Sequence, residues 1–163
     1  MFTRALMLAF AIALPAQAQS PGQAGPHVPS PGLDPAAAFK PLAERKDVVS
    51  WKLLAQVELV RMKDRYVAQF SDNVAALNRK EVKVQGFMMP LELGDKQTHF
   101  VLSAMPQTCA FCMPGGPESM VEVKSKQPVK YTFEPLVLTG RLEVLKDDPS
   151  GVFYRLTNAV PAR

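Results

Sequence analysis

Two cysteines three positions apart, in Cys109-Ala110-Phe111-Cys112-Met113, are the residues of this chain whose type and spacing carry the most chemical potential. Thiolates at that spacing can converge on one ion, and thioether sulfur from Met113 or Met105 can join them. Soft sulfur ligands favour Cu(I), or Zn(II) when harder partners complete a tetrahedron. Beyond the N-terminal tract the histidine on offer is His99, so zinc would draw a further ligand from Glu118, Glu122 or water. Cu(I), satisfied by few sulfurs, fits this inventory better. A local disulfide between Cys109 and Cys112 is the competing reading. It would staple a Pro/Gly-rich loop, and so small a ring sits at the low end of about 2–4 kcal/mol of stabilisation.

Redox catalysis is disfavoured. An oxidoreductase Cys-x-x-Cys opens a helix whose dipole activates the first thiol. Here Met113-Pro114-Gly115-Gly116-Pro117 follows, which blocks a helix, and no βαβ pattern surrounds it. No Ser/His/Asp order, phosphate-cradling glycine loop or His-Glu-x-x-His helix is present. The chain therefore reads as a binding or accessory protein, not an enzyme.

The elements that must position this loop begin after a long leader. Residues 1–18 have the form of a secretory signal, with Arg4 in the basic region, an apolar run over 5–14, and Ala16-Gln17-Ala18 before a cleavage point near Ala18. That run is too short to span a bilayer. Export to an oxidising compartment, the periplasm, is the expectation. Residues 19–49 are rich in proline, at 21, 26, 29, 31, 35 and 41, and read as a disordered linker. The net charge of +4 becomes +3 once Arg4 is removed, and basic residues are interspersed with acidic ones. Nucleic-acid binding, which calls for a concentrated basic stripe, is excluded on that ground.

Residues 50–163 read as one mainly β domain. Ser50 caps a short helix carrying Trp51, Leu54 and Val57, although 57–62 also has strand character. Ser71 caps a second helical turn over 72–77. Strands follow over 82–93, 99–104, 120–124, 136–145 and 153–156, with a turn at Gly94-Asp95 and a Pro/Gly-dense loop over 105–118. Five strands, one of them bent at Gly140, predict a small five-stranded OB-like barrel with one or two short helices, a β-sandwich-like arrangement being the alternative.

Several segments together resemble a bacterial family of exported proteins catalogued as a domain of unknown function. They are Gly86-Phe87-Met88-Met89-Pro90-Leu91, the cysteine loop, Val121-Glu122-Val123, and Val137-Leu138-Thr139-Gly140-Arg141-Leu142, with Trp51 upstream. The resemblance covers roughly residues 51–145. It implies an envelope protein often encoded near transporters, some of them linked to metal homeostasis, so the expected partner is an envelope protein or transporter component. Many members carry Cys-x-His before a proline run. This chain has Cys109 at the first position and Phe111 where that histidine falls, with Cys112 one residue on.

Overall fold

The computed structural model describes residues 42–107 and 115–162, all within the unit spanning Pro35–Arg163. The order along the chain is α1 (Trp51–Leu54), β1 (Val57–Met62), β2 (Arg65–Phe70), α2 (Asp72–Ala75), β3 (Glu81–Pro90), β4 (Lys96–Ser103), β5 (Met120–Lys130), β6 (Leu136–Val144) and β7 (Tyr154–Pro161). A 3-10 turn, Pro117–Ser119, leads into β5. Both short helices have a serine at the N-cap. Ser50 Oγ accepts from Lys52 N–H, and Ser71 Oγ accepts from Val74 N–H.

Five strands close a barrel in the order β3-β4-β5-β7-β6, with β6 returning to β3. Every pairing is antiparallel except β5 with β7. This is the five-stranded Greek-key arrangement of an OB-type barrel. Alternation supplies the interior. Val84, Met88, Phe100, Leu102, Val121, Val123, Leu138, Leu142, Tyr154 and Leu156 point inward and are buried.

Gly140 sits where β6 crosses β7 at a register shift. A β-carbon there would lie 2.9 Å from the Leu156 side chain, 2.9 Å from Thr157 O and 3.1 Å from Ala159 Cα. Backbone atoms cannot swing aside as a flexible side chain can. Gly140→Ala is therefore expected to destabilise the barrel by about 1–3 kcal/mol, read as a lower urea midpoint at unchanged slope.

One end of the barrel is plugged. Leu54 and Val74, from α1 and α2, are fully buried with Tyr154 in the same core as Phe70 and Phe153. The Trp51 indole N–H donates to Gln85 O at 2.8 Å, which ties α1 to β3. Contacts with the barrel begin upstream of Ser50, where Val49 N–H donates to Lys83 O at 2.8 Å and Asp47 pairs with Lys83. This end, where β4 stops and β5 starts, is called the capped end below. The opposite end carries the β3–β4 and β5–β6 turns.

Three features depart from the sequence expectation. Val57 belongs to no helix; it opens β1, which forms a hairpin with β2 outside the barrel. Strand β5 runs on to Lys130 instead of stopping near Lys124, and β7 runs to Pro161 instead of Leu156. Both extensions pass irregular positions, at Lys124/Ser125 and around Asn158, where φ is +52°. Such kinks break the alternation by which a strand is recognised in sequence.

Candidate functional site on the outer face of the barrel

Of the proposed sulfur and nitrogen ligands, Cys109, Cys112 and Met113 lie outside the described residues. The segment that contains them is anchored at both ends. Ser103 pairs with Met120 across β4 and β5, and Ala104 N–H donates to Ser119 O at 3.0 Å. Met105 follows directly. Its backbone N–H is held by Ser103 Oγ at 3.2 Å, while its side chain is 54% exposed. The segment over 105–118 thus leaves from, and returns to, the capped end of the barrel.

His99 lies further down β4 on the outer face, half-exposed. Its Nε2 is 2.8 Å from Glu122 Oε1 on the neighbouring strand β5. Glu122 Oε2 accepts from Arg155 Nε at 2.5 Å, and Arg155 reaches Asp148 Oδ2 at 3.1 Å. The arrangement follows from register. Glu122 stands directly opposite Arg155 in the parallel β5–β7 pair, and His99 is diagonal to it across β4–β5. Asp148 comes from the β6–β7 turn, where Ser150 donates to its Oδ1 from backbone and side chain.

A third acidic residue braces the strand beneath. The β4–β5 register shifts between Gln97 and His99, which takes Thr98 out of regular pairing. Glu92 Oε2 accepts from Thr98 N–H at 3.1 Å, Thr98 Oγ1 at 3.2 Å and His99 N–H at 3.3 Å. Those bonds hold the Glu92 carboxyl below its ordinary pKa despite a small opposing effect of burial. Burial alone would raise Glu122. Hydrogen bonds from His99 and Arg155, with the charges of Arg155 and Lys124, outweigh it and leave the group low. Asp148 is low chiefly through Ser150, then Arg155.

The chemistry available follows from these contacts. Glu122 has both oxygens engaged and a side chain only 11% exposed, so it orients its neighbours. With Nε2–H given to that carboxylate, a neutral His99 ring keeps its Nδ1 lone pair available, the arrangement by which a carboxylate prepares an imidazole ligand. No group of three or more His, Cys, Asp or Glu able to hold a metal occurs among the described residues. OB-type barrels bind ligands across their second and third strands, between the first–second and fourth–fifth turns. Here those are β4 and β5 with the Glu92 and Asp148 turns, and the polar network lies on that face.

Arg155 and Asp148 did not emerge from sequence reasoning. The alternation Phe153-Tyr154-Arg155-Leu156 would have placed Arg155 outward. Its partnership with Glu122 depends on the parallel β5–β7 pairing, which no local pattern announces.

A search of curated proteins found no match. Among solved structures, the chain is similar to a DUF3299 family protein from Pseudomonas aeruginosa PAO1, with 23% identity over 59% of this chain and 68% of that one, at a TM-score of 0.47. The family described as "Protein of unknown function (DUF3299)" matches residues 27–158, most of the sequence, and the chain belongs to that family.

Proposed function

We propose that this protein is a non-enzymatic accessory module of the bacterial periplasm that binds a soft metal ion, Cu(I) or Zn(II), and works beside an envelope transporter component. The observation carrying this reading is the Cys109-x-x-Cys112-Met113 set on a segment anchored at both ends to β4 and β5. Anchoring reduces the chain entropy lost when the two thiolates close on one ion. His99, on the outer face of the same strand β4, offers a nitrogen for the harder ion. Export rests on the form of residues 1–18.

Competition between the reduced mature protein and a chromophoric Cu(I) chelator tests it. The wild type is expected to take up one equivalent, and Cys109→Ser/Cys112→Ser is expected to lose it with an unchanged far-ultraviolet spectrum. Equal binding by the double-serine variant would sink the metal reading.

A second reading, a structural adaptor whose Cys109 and Cys112 form a disulfide, is favoured by the β1–β2 hairpin. It stands outside the barrel and exposes Leu59 and Tyr66 on one face and Val60 and Met62 on the other, apolar side chains of the kind that protein partners cover. Alkylation of the protein at lysis, followed by intact mass, separates the two. Two alkyl adducts support the thiolate site; a mass two hydrogen atoms lighter with no adduct supports the adaptor.

A further inference from the structure

The start of α1 and the segment that leads into it line a cavity of about 460 Å³ that the metal reading does not use. Leu42, Val48, Val49 and Trp51 supply its apolar walls, and Gln85 of β3 also lines it. The Trp51 wall is fixed. Its indole N–H is spent on Gln85 O at 2.8 Å, and its Cζ2 sits so close to Gly86 that a β-carbon there would lie 3.3 Å away. The wall over 42–49 is pinned as well. Val49 N–H donates to Lys83 O at 2.8 Å, and Asp47 pairs with Lys83 at 3.0 Å and with Arg45 at 2.8 Å. Walls held in this way do not collapse onto each other, and the apolar surface between them gains by being covered.

The described chain begins at this cavity. Leu42 is both its first residue and one of the walls, and only Lys40 and Pro41 separate Leu42 from Phe39. Even fully extended, that link spans at most about 11 Å. Phe39 is the one aromatic residue between Gln19 and Pro41, and Pro35-Ala36-Ala37-Ala38-Phe39 carries no charged side chain. Prolines at 35 and 41 restrict the backbone of the residues before them, which lowers the entropy lost on docking. A group tethered this closely meets the cavity at an effective concentration far above that of a dilute free ligand. The family match itself begins at residue 27 and takes in this stretch.

Charge agrees with the same occupant. Lys46, Lys52 and Glu44 line the cavity, and none of them has an ion-pair partner among the described residues. Upstream, Asp34 is the one acidic residue and Lys40 the one basic residue between Gln19 and Pro41. A segment laid in the cavity offers Asp34 to the two lysines and Lys40 to Glu44.

We infer that the cavity is the seat of the chain's own segment 34–41, with Phe39 against the Trp51 indole and Asp34 at Lys46 and Lys52. Seating is independent of metal binding, and it starts the folded domain near Asp34 in place of Ser50.

Trp51 is the only tryptophan of the chain, so its fluorescence reports on this cavity without interference. Acrylamide quenching of the full mature protein, with a chelator present so that no outcome turns on metal, tests the inference. Wild type is expected to show blue-shifted, weakly quenched emission. Phe39→Ser should lower the ratio of seated to free segment about tenfold or more, read as a red shift and stronger quenching. Phe39→Leu should restore most of the wild-type signal. Asp34→Lys should give part of the serine variant's change, most clearly at low salt. Strong quenching in wild type and Phe39→Ser alike overturns the inference, because the cavity then stands open. Equally weak quenching in both overturns it too, in favour of a bound small molecule where refolding from urea into fresh buffer raises it.

Discussion

Replacing Tyr154 with alanine is expected to cost the domain about 3–5 kcal/mol, the range for removing a large buried aromatic from a core. Tyr154 is the largest fully buried side chain among the described residues. It packs against Phe70 and Phe153, with ring centres 5.6 and 6.4 Å away, and so joins the β1–β2 hairpin to the barrel. Its hydroxyl donates to Leu54 O at 2.5 Å. That carbonyl stands at the end of α1, where it has no intrahelical donor. Burial, with Glu118 nearby, pushes the phenol above its ordinary pKa, so it remains a neutral donor. Small domains have only about 5–15 kcal/mol of stability in total, so Tyr154→Ala should be largely unfolded in mild urea. Tyr154→Phe keeps the packing and drops the hydroxyl, and should lose about 1 kcal/mol. Equal losses in the two variants would mean that the hydrogen bond, not the ring, holds the cap. Because α1 and the segment over 105–118 share this end, Tyr154→Ala should also weaken any metal binding there.

The barrel was readable because its strands obey simple rules over most of their length. Val82, Val84 and Gly86 alternate with polar residues, Gly94-Asp95 supplies the turn, and Gly140 marks the bend. The OB-like closure followed from strand number and the position of that bend. Hairpin β1–β2 was obscure for a physical reason. Its outer residues are exposed, so Glu58-Leu59-Val60-Arg61-Met62 shows no burial-driven alternation, and Trp51, Leu54 and Val57 happen to fall at helical spacing. The Glu122 network was obscure for another. His99, Glu122, Asp148 and Arg155 come from three strands and a turn, and only closure of the barrel brings them within hydrogen-bond reach. Sequence spacing exposes candidate chemistry when the residues are local, as in Cys109-x-x-Cys112. It is silent when they converge through topology.

Removing the Glu122 carboxylate tests whether that convergence is structural. Glu122 and Arg155 have side chains 11% and 18% exposed, so most of their hydration is already lost. Glu122→Ala leaves Arg155 with Asp148 alone and frees the His99 ring. Cutting one partner from a largely buried pair costs more than the pair is worth, because the remaining charge loses its counterion. A loss of about 2–4 kcal/mol at neutral pH is expected for Glu122→Ala, and a smaller one for Glu122→Ala/Arg155→Ala, measured as urea midpoints. The pH dependence carries a definite sign. Glu122 and Asp148 lie below their ordinary values of 4.5 and 3.8 in the folded protein. A depressed carboxyl contributes stability that is fully present above its unfolded value and is lost as pH falls through the folded one. Wild-type stability should therefore hold from neutral pH down to about 5 and fall steeply below about 4.5, as both groups take up protons. Glu122→Gln should start lower at neutral pH and decline less across that window, because its linked proton is gone while those of Asp148 and Glu92 remain. Parallel wild-type and Glu122→Gln curves would show that the acid loss arises elsewhere. A convergent pair would assign it to the carboxylate that holds β4 and β7 to opposite sides of β5, on the face where this fold presents its ligands.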